Sequence, residues 1–223
     1  MSSLSSFLDQ YGALLGGGLA DTLVMLFVST ALAYVIGIVL GVILHVTAPR
    51  GLHPMRTLNA VLGWVVNISR SIPFIILLVS MFPVTRALVG TTTGVQGVIP
   101  PLVLSTTPFV ARMVEQSLAE VPRESIEAAE SCGASIPRIV VSALLPEALP
   151  SIVRGVSITL IAVLGYTAIA GAVGAGGLGD IAIRYGYYRY QDEVMIATLV
   201  LIVILVQVIQ STCDAIAKRI DHR

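Results

Sequence analysis

The chain has 223 residues, of which 56% are hydrophobic and only 12% are charged, and its mean hydropathy is +0.91. Soluble domains carry about one quarter charged residues, so this composition predicts an integral membrane protein and excludes a soluble domain of ordinary size. The formal net charge is zero and the basic residues are dispersed, which argues against nucleic-acid binding. The two cysteines, Cys132 and Cys213, are expected to be free thiols, because two alone make neither a disulfide framework nor a metal site.

The N-terminal segment of residues 1–18 is rich in serine and glycine and predicts a short helix lying on the bilayer surface. The first basic residue is Arg50, so the basic region of a signal peptide is lacking and we expect the first apolar segment to be retained. Span one is predicted at about 19–46, long enough to cross the hydrocarbon. Within it, Gly37 and Gly41 have the spacing of small residues that lets another helix pack closely.

The second and third spans are predicted at about 58–82 and 98–118. Arg70 is the one charge deep in a predicted span, and two placements remain open for it. Its side chain faces the interior of the bundle or a cavity, or it extends to the inner membrane interface. Pro73 in the same span predicts a local kink.

The longest charged interruption of the chain follows span three, in a loop at about 120–146. Pro122 suits the first turn of a helix, Glu124 and Glu127 favour its positive N-terminal end, and Gly133 is a natural stop. A helix of about three turns is therefore predicted. Ser135 is the predicted cap of the next helix.

The small residues of this short helix are predicted to form its contact surface. Ile126, Ala129 and Gly133 are spaced three and four apart and make one apolar stripe of low relief, which another protein can approach closely. The loop is therefore interpreted as a helix-turn-helix at the membrane surface that receives a push from a soluble partner.

Spans four and five are predicted at about 151–174 and 194–216, which gives a single all-α membrane domain of five transmembrane helices over residues 1–223. Cytoplasmic connections carry the excess of basic residues, and an external N-terminus with a cytoplasmic C-terminus maximises that excess. The inner segments then hold nine of the 13 basic residues: Arg50, Arg56, Arg112, Arg123, Arg138, Arg154, Lys218, Arg219 and Arg223. Because transport pathways commonly lie on a symmetry axis and five spans cannot be halved, a homodimer is predicted.

Several patterns that are typical of enzymes are rejected. Gly174–Gly179 satisfies G-x-G-x-x-G, but a membrane span precedes it instead of a strand, so we interpret Gly171–Gly179 as an unwound outer end of span four that permits close contact or bending. No phosphate-binding P-loop occurs, and no serine lies in a G-x-S-x-G pattern. The histidines, His45, His53 and His222, favour solvated positions over a metal site. We predict no catalytic residue and no metal, so any ATPase must be another chain.

An aromatic and basic cluster lies on the predicted outer side, between spans four and five. It contains Tyr185, Tyr187, Tyr188 and Tyr190 together with Arg184 and Arg189. Two interpretations remain open, anchoring at the membrane interface and contact with an external binding protein.

The central loop resembles the EAA signature of permease subunits of ABC importers. The resemblance is carried by Glu127-Ala128-Ala129, by Gly133, and by Leu145-Pro146, while Ala143 stands where the signature has isoleucine. It implies a permease core of the type I importers, in which this loop is a coupling helix that docks in a cleft of a cytoplasmic ATPase. The implied coupling residues are Ile126, Glu127, Ala128, Ala129, Glu130, Gly133, Leu145 and Pro146.

The resemblance extends over nearly the whole chain and is greatest to the methionine importer permeases. It is carried by 70–79, by 144–150, by Gly165-Tyr166, and by Gly171–Gly179 followed by Tyr185-Gly186-Tyr187. It implies a homodimer in a bacterial cytoplasmic membrane, joined to two ATPase subunits that bind the ATP and magnesium, and served by a substrate-binding lipoprotein. This chain itself is expected to need no cofactor.

The predicted function is alternating-access import, with spans two to five of each copy lining the pathway. The predicted pathway residues are Arg70, Pro73, Leu164, Tyr166, Ile169 and Gly171, with Leu164 and Ile169 as the apolar gate. Methionine, as the L- and possibly the D-isomer, is the expected substrate. The alternatives are an importer for another amino acid or a short peptide, and an ATP-independent channel or scaffold.

Overall fold

The computed structural model describes residues 2–220, with side chains from residue 5 onward; His222 and Arg223, which enter the predictions above, lie outside the described residues. Over that range every regular element is helical, and no strand occurs in it. The helical elements are α1 Ser2–Thr47, α2 Arg56–Ser71, α3 Phe74–Ser80, α4 Phe82–Val89, α5 Gly94–Ala119, α6 Arg123–Ser131, α7 Ile136–Ile139, a π-helical segment Val140–Leu144, α8 Leu145–Gly171, α9 Gly177–Ile181, a second π-helical segment Ala182–Tyr187, and α10 Asp192–Ile220.

The first helix is longer than the sequence predicted. Helix α1 runs without a break from Ser2 to Thr47, so the prediction of a separate surface helix over residues 1–18 is wrong. Glycines in a helix cost roughly 1 kcal/mol each, which made a break before residue 19 reasonable. The helix continues because Gly18 packs against the backbone of Gly177, where a Cβ would lie 3.3 Å from the Gly177 carbonyl carbon.

Four helical stretches are long and apolar enough to cross a membrane, and a bent pair of helices makes a fifth span. The four are Ser5–Thr47, Gly94–Ala119, Ile136–Gly171 and Asp192–Ile220, and the pair is Arg56–Ser71 with Phe74–Ser80. The chain is therefore an all-α membrane protein with five spans, of which the second is broken.

The break in the second span lies at Pro73 and turns the helix axis by 98°. Proline has no N–H to donate, and it disfavours the helical region for the residue before it. Ile72 accordingly adopts an extended conformation, with φ −82° and ψ 121°, and Pro73 caps α3. Pro73 thus produces a full break, which is larger than the predicted kink.

The chain divides into two compact units. The first unit consists of residues 2–31, Pro73–Leu104 and Leu160–Ile209. One of its cores is formed by Leu15, Ile181 and Val194, with aromatic side chains of α1 packed around them. The backbone N–H of Gly94, at the start of α5, donates to the carbonyl of Gly174 at 2.9 Å.

The second unit consists of Leu32–Ile72, Ser105–Thr159 and residues 210–220. Its core includes Val110, Val114 and Leu118 of α5 together with Ile139 and Leu144. Helix α1 approaches α5 closely in this unit at the glycine pair predicted for such a contact. A Cβ on Gly41 would lie 2.7 Å from the carbonyl oxygen of Ala111, and one on Gly37 would lie 2.6 Å from Val110. A larger side chain at either position would therefore force α1 and α5 apart.

Candidate coupling site and pathway residues

The predicted stop of helix α6 at Gly133 is confirmed. Helix α6 ends at Ser131, and Gly133 adopts the left-handed conformation with φ +73°. The Gly133 N–H donates to the Glu130 carbonyl at 2.8 Å, and the Ala134 N–H donates to the Ala129 carbonyl at 3.2 Å. These two bonds form a Schellman motif, which satisfies carbonyls that a helix end otherwise leaves free.

The other end of α6 is held weakly. Pro122 caps the helix with φ −56° and ψ 135°, so it precedes the first turn in which the sequence placed it. Within the first turns, Arg123 Nε lies 3.4 Å from Glu127 Oε1, and both side chains are more than half exposed. Exposed ion pairs of this kind contribute little to stability. The carboxylates of α6 are therefore available to an external partner.

The apolar stripe of α6 does not face outward as predicted. Ile126 and Ala129 are partly buried and pack against the core of their own unit. Their spacing was interpreted correctly as one face of a helix, but an isolated sequence does not tell which body that face contacts. The outward face consists of exposed residues that are acidic, small or basic: Arg123, Glu124, Glu127, Ala128, Glu130 and Ser131.

The second part of the loop signature lies where the chain re-enters the long helical stretch. Ala143 and Leu145 are partly buried against the same core as Ile126, while Pro146 is exposed. Pro146 has no N–H, so the helical hydrogen bonding shifts before it, and the Leu145 N–H donates to the Val140 carbonyl five residues back. The π-helical segment thus has its cause in the signature proline, and Ala143 lies within it.

The hairpin that carries α6 is closed at its base by a polar chain that the sequence did not reveal. The hydroxyl oxygens of Ser117 on α5 and Ser151 on α8 lie 3.0 Å apart, and Ser151 Oγ donates to Glu120 Oε2 at 3.0 Å. Serine and glutamate at these separations form no recognisable motif. This contact holds the two arms of the hairpin together on either side of the coupling helix.

One side of α6 is not packed against the core. A cavity of about 280 Å³ lies between this helix and the loop that joins α1 to α2. Charged side chains of both signs line it, among them Arg50, Arg123, Glu127 and Glu130. Ile126 also lines this cavity, so the side of α6 that faces the loop between α1 and α2 is incompletely packed.

Arg112 is a second feature that sequence reasoning missed, because it counted only as an inner positive charge. It lies on α5, and its guanidinium donates to Glu115 Oε2 at 2.6 Å. The same group donates at 3.1 Å to the carbonyl of Gly63 and at 3.1 Å to Oδ1 of Asn67, both on α2. The arginine side chain is only 22% exposed.

The predicted pathway residues on α8 differ in their surroundings. Tyr166 is half-buried, and its ring stacks on that of Phe74 with centroids 4.8 Å apart. Ile169 is 43% exposed, whereas Leu164 is only 4% exposed. Leu164 is therefore packed inside its own unit in the single chain, and its predicted role in the gate stays a prediction. Ile169 is the exposed apolar residue at this end of α8.

Arg70 and Gly171 complete the predicted set. Arg70 lies in the last turn of α2 and is exposed in the single chain, so both of its predicted placements stay open. Gly171 ends α8 and packs against the next helix, where a Cβ would lie 2.5 Å from the carbonyl carbon of Gly179. Gly171 thus serves close packing.

The glycine run unwinds the end of α8, as predicted. Gly174, Gly176 and Gly177 have positive φ values of 84°, 79° and 81°. The turn is fastened to α1, because the Leu178 N–H donates to Thr22 Oγ1 at 2.9 Å. The positive φ values explain these three glycines, and at Gly177 close contact with Thr22 adds to the requirement. Neither a preceding strand nor a phosphate-binding helix of ordinary length accompanies them in the described residues.

The tyrosine cluster is divided between packing and exposure. Tyr185 is partly buried, and the guanidinium of Arg189 lies 4.4 Å from its ring centroid. The other three tyrosines are exposed: Tyr187, Tyr188 and Tyr190. Arg184 pairs with Asp180 at 2.8 Å. Both interpretations of this surface, interfacial anchoring and partner contact, are compatible with that exposure.

Comparison with known proteins gives consistent matches. The family described as "Binding-protein-dependent transport system inner membrane component" matches residues 33–223. The "Probable D-methionine transport system permease protein MetI" of Vibrio cholerae is 50% identical over 203 residues, which are 91% of this chain and 90% of the relative. The "Methionine import system permease protein MetP" of Bacillus subtilis is 43% identical over 181 residues, 81% of this chain and 82% of the relative.

A solved structure also matches closely. A chain of the MetNI methionine ABC transporter, in an inward-facing conformation, has a TM-score of 0.94 at 48% identity, and the match covers 96% of this chain and 99% of that one. A chain of an amino acid ABC transporter with histidines has a TM-score of 0.79 at 16% identity, which supports the fold alone.

Proposed function

We propose, from the premise that this chain belongs to the family of binding-protein-dependent transport system inner membrane components, that it is the membrane permease of an ATP-driven methionine importer. The observation that carries the proposal is the exposed, capped helix α6 on a hairpin between two membrane spans, in a chain that superposes on a methionine transporter subunit with a TM-score of 0.94. In this proposal a separate protein binds helix α6 and displaces it.

The partner in this proposal is a cytoplasmic ATPase, present as two copies, which binds the ATP and magnesium. The outward face of α6 offers it carboxylates and small side chains, with Glu127, Ala128 and Glu130 at its centre. Ile126 and Ala129 act from the inner face, because they anchor the helix to the core. Gly133 fixes the end of the helix, and Leu145 and Pro146 fix the return into the membrane.

The pathway in this proposal lies between two copies of the chain. Five spans cannot form a symmetric pathway alone, and the exposed Ile169 offers an apolar surface that a second copy can meet. Methionine has an apolar tail and no net charge, so an apolar constriction suits it. Arg70, Pro73 and Tyr166 remain the other proposed pathway residues, with Pro73 supplying the break in the second span.

The proposed orientation places α6 and the C-terminus in the cytoplasm and the N-terminus outside, because nine of the 13 basic residues then lie inside. A substrate-binding lipoprotein would meet the opposite face, where the exposed Tyr187, Tyr188 and Tyr190 are candidates for the contact.

Uptake by the reconstituted complex tests the proposal. The chain is co-purified with its ATPase and binding protein, and vesicles are assayed with labelled L-methionine and D-methionine, with and without ATP. We expect ATP-dependent methionine uptake that unlabelled methionine suppresses. Suppression by a different amino acid or a peptide instead would favour an importer of another substrate, and uptake indifferent to ATP would favour a channel.

A pair of tryptophan variants tests the coupling role of α6. Gly133→Trp places a bulky side chain at the end of the proposed docking face, and we expect it to abolish coupled uptake. Gly90→Trp is the matched control, since Gly90 also ends a helix with positive φ and open space around it, but in another loop. Full uptake by Gly133→Trp would count against the coupling role.

A further inference from the structure

Arg112 links α5, one arm of the cytoplasmic hairpin, to helix α2. We propose that Arg112 is a positioning residue that transmits displacement of the coupling helix α6 to helix α2 during transport. The inference rests on the proposed function, since it needs an ATPase that displaces α6.

The first step is the rigid connection from α6 to Arg112. Only Glu120, Val121 and Pro122 separate the end of α5 from α6. The hydroxyl contact between Ser117 and Ser151 closes the hairpin at the same level. Arg112 lies seven residues before the end of α5, which is about 10 Å along a continuous helix. A displacement of α6 therefore reaches Arg112 through a three-residue connection and then an unbroken stretch of α5.

The second step is the connection from Arg112 to α2. The guanidinium bonds two groups on α2, the Gly63 carbonyl and the Asn67 side chain, each at 3.1 Å. Both bonds come from Nη2, while Nη1 donates to Glu115, so one planar guanidinium fixes acceptors of α2 and α5 relative to each other. Glu115 fixes the fork from the side of α5, at 2.6 Å.

The contact between Arg112 and α2 is close at Gly63. Gly63 is buried, and a Cβ there would lie 3.2 Å from Arg112 Nη2, which is closer than ordinary packing allows. A small apolar cluster of Leu44, Val66 and Ala111 is the neighbouring contact between the same elements. Apolar packing is not directional, so the helices can slide against each other at this cluster. The hydrogen bonds to the charged Arg112, in contrast, fix the position of α2 relative to α5.

The third step concerns what α2 does with a displacement. The face of α2 away from Arg112 is exposed in the single chain, with Val61 57% and Trp64 66% exposed. The helix is held on one side and free on the other, and its sequence continues directly to the break at Pro73. A shift of α2 therefore moves the exposed face that carries Val61 and Trp64, which does not pack in the core of its own unit.

The test uses the full complex with its ATPase and binding protein, in which methionine molecules transported are counted per ATP hydrolysed. Arg112→Gln removes the charge and the fork, and we expect the ratio to fall by roughly fivefold or more, the lower range for coupling between sites. ATP hydrolysis and the yield of assembled complex should persist. Arg86→Gln is the matched control, since Arg86 is exposed and lies on α4.

A probe on α2 separates transmission from stability. Val61→Cys is labelled with a fluorophore in a Cys132→Ser background, since Cys213 is buried. We expect ATP and vanadate to change the signal in the parent complex and to leave it nearly unchanged in the Arg112→Gln complex. Arg112→Lys should give an intermediate response, because one ammonium does not reproduce the fork.

The outcomes distinguish the inference from the function beneath it. A parent complex that transports without ATP would overturn both. A coupled parent complex whose Arg112→Gln variant keeps the ratio and the signal would overturn this inference alone. If Arg112→Gln fails to assemble, Asn67→Ala carries the test, because it removes one acceptor without uncovering a buried charge; an unchanged ratio in that variant would also overturn it.

Discussion

Replacing Gly133 by alanine tests how the coupling helix is terminated. The backbone at this position has φ +73°, and nothing lies within 4 Å of the place where a Cβ would stand. The substitution therefore causes no collision with the rest of the protein. Its effect comes from the backbone conformation alone, which L-residues other than glycine adopt at a cost of about 1–2 kcal/mol.

The magnitude follows from the length of the helix. Helix α6 has nine residues, and helices this short are marginal without tertiary support. A cost of about 1–2 kcal/mol shifts the equilibrium between the capped and the frayed end by roughly 5-fold to 30-fold. We expect Gly133→Ala to weaken ATPase association by up to this factor, because the partner binds the capped form and its apparent affinity scales with the capped fraction. Gly133→Asn should be affected less, since asparagine enters this conformation more easily.

The assay is titration of the detergent-solubilised permease with its ATPase, followed by uptake in vesicles. Ser135→Ala is the matched control two residues away, because the Ser135 side chain makes no capping hydrogen bond although it occupies a capping position. We expect this control to bind the ATPase like the parent. The reasoning would be refuted if Gly133→Ala bound as tightly as the control, or if Gly133→Asn were the weaker of the two variants.

Three further predictions concern the stability of the purified permease, measured as the midpoint of thermal unfolding by labelling of Cys213 on heating. Gly41→Ala should lower this midpoint, because overpacking against the α5 backbone costs about 1–3 kcal/mol. Gly17→Ala meets open space and should raise the free energy of unfolding by up to about 1 kcal/mol. Thr22→Val should lower the same midpoint and Thr22→Ser should not, because the buried N–H of Leu178 loses its acceptor only in the first, at a cost of about 1–3 kcal/mol. Tyr166→Ala should lower the midpoint of thermal unfolding, whereas Tyr166→Phe should leave it nearly unchanged. Only the alanine variant loses the ring stack with Phe74, which contributes about 0.5–1.5 kcal/mol in addition to the burial of apolar area.

Local features of the sequence predicted their structures well. Gly133 ends its helix because only the adjacent backbone decides whether a left-handed residue is needed there. Pro73 breaks its span for an equally local reason, the missing N–H and the restriction on Ile72. The size of the break, 98°, depends on how the following helices pack, and the proline alone does not determine it.

Features that depend on distant partners were not predictable from one sequence. The spacing of Ile126 and Ala129 identified a helix face, but the residues that this face packs against are distant in the chain. Arg112 and Gly63 lie 49 positions apart, and no local pattern relates a lone arginine to a glycine carbonyl. The continuation of α1 through its glycines likewise depends on Gly177, far along the sequence.

Exposure in the single chain restricts what α8 can contribute to a pathway between two copies. Leu164 and Ile169 are both apolar and both lie near the C-terminal end of α8, so hydropathy does not separate them. The helical period separates the two residues, because a spacing of five positions rotates the side chain by about 140° around the helix axis. Ile169 therefore points outward when Leu164 points inward. Ile169 shares its open side with Gly165, where a Cβ would meet nothing within 4 Å. A second copy can therefore approach α8 along Gly165 and Ile169, and a larger side chain at Gly165 would narrow that approach without disturbing the core around Leu164.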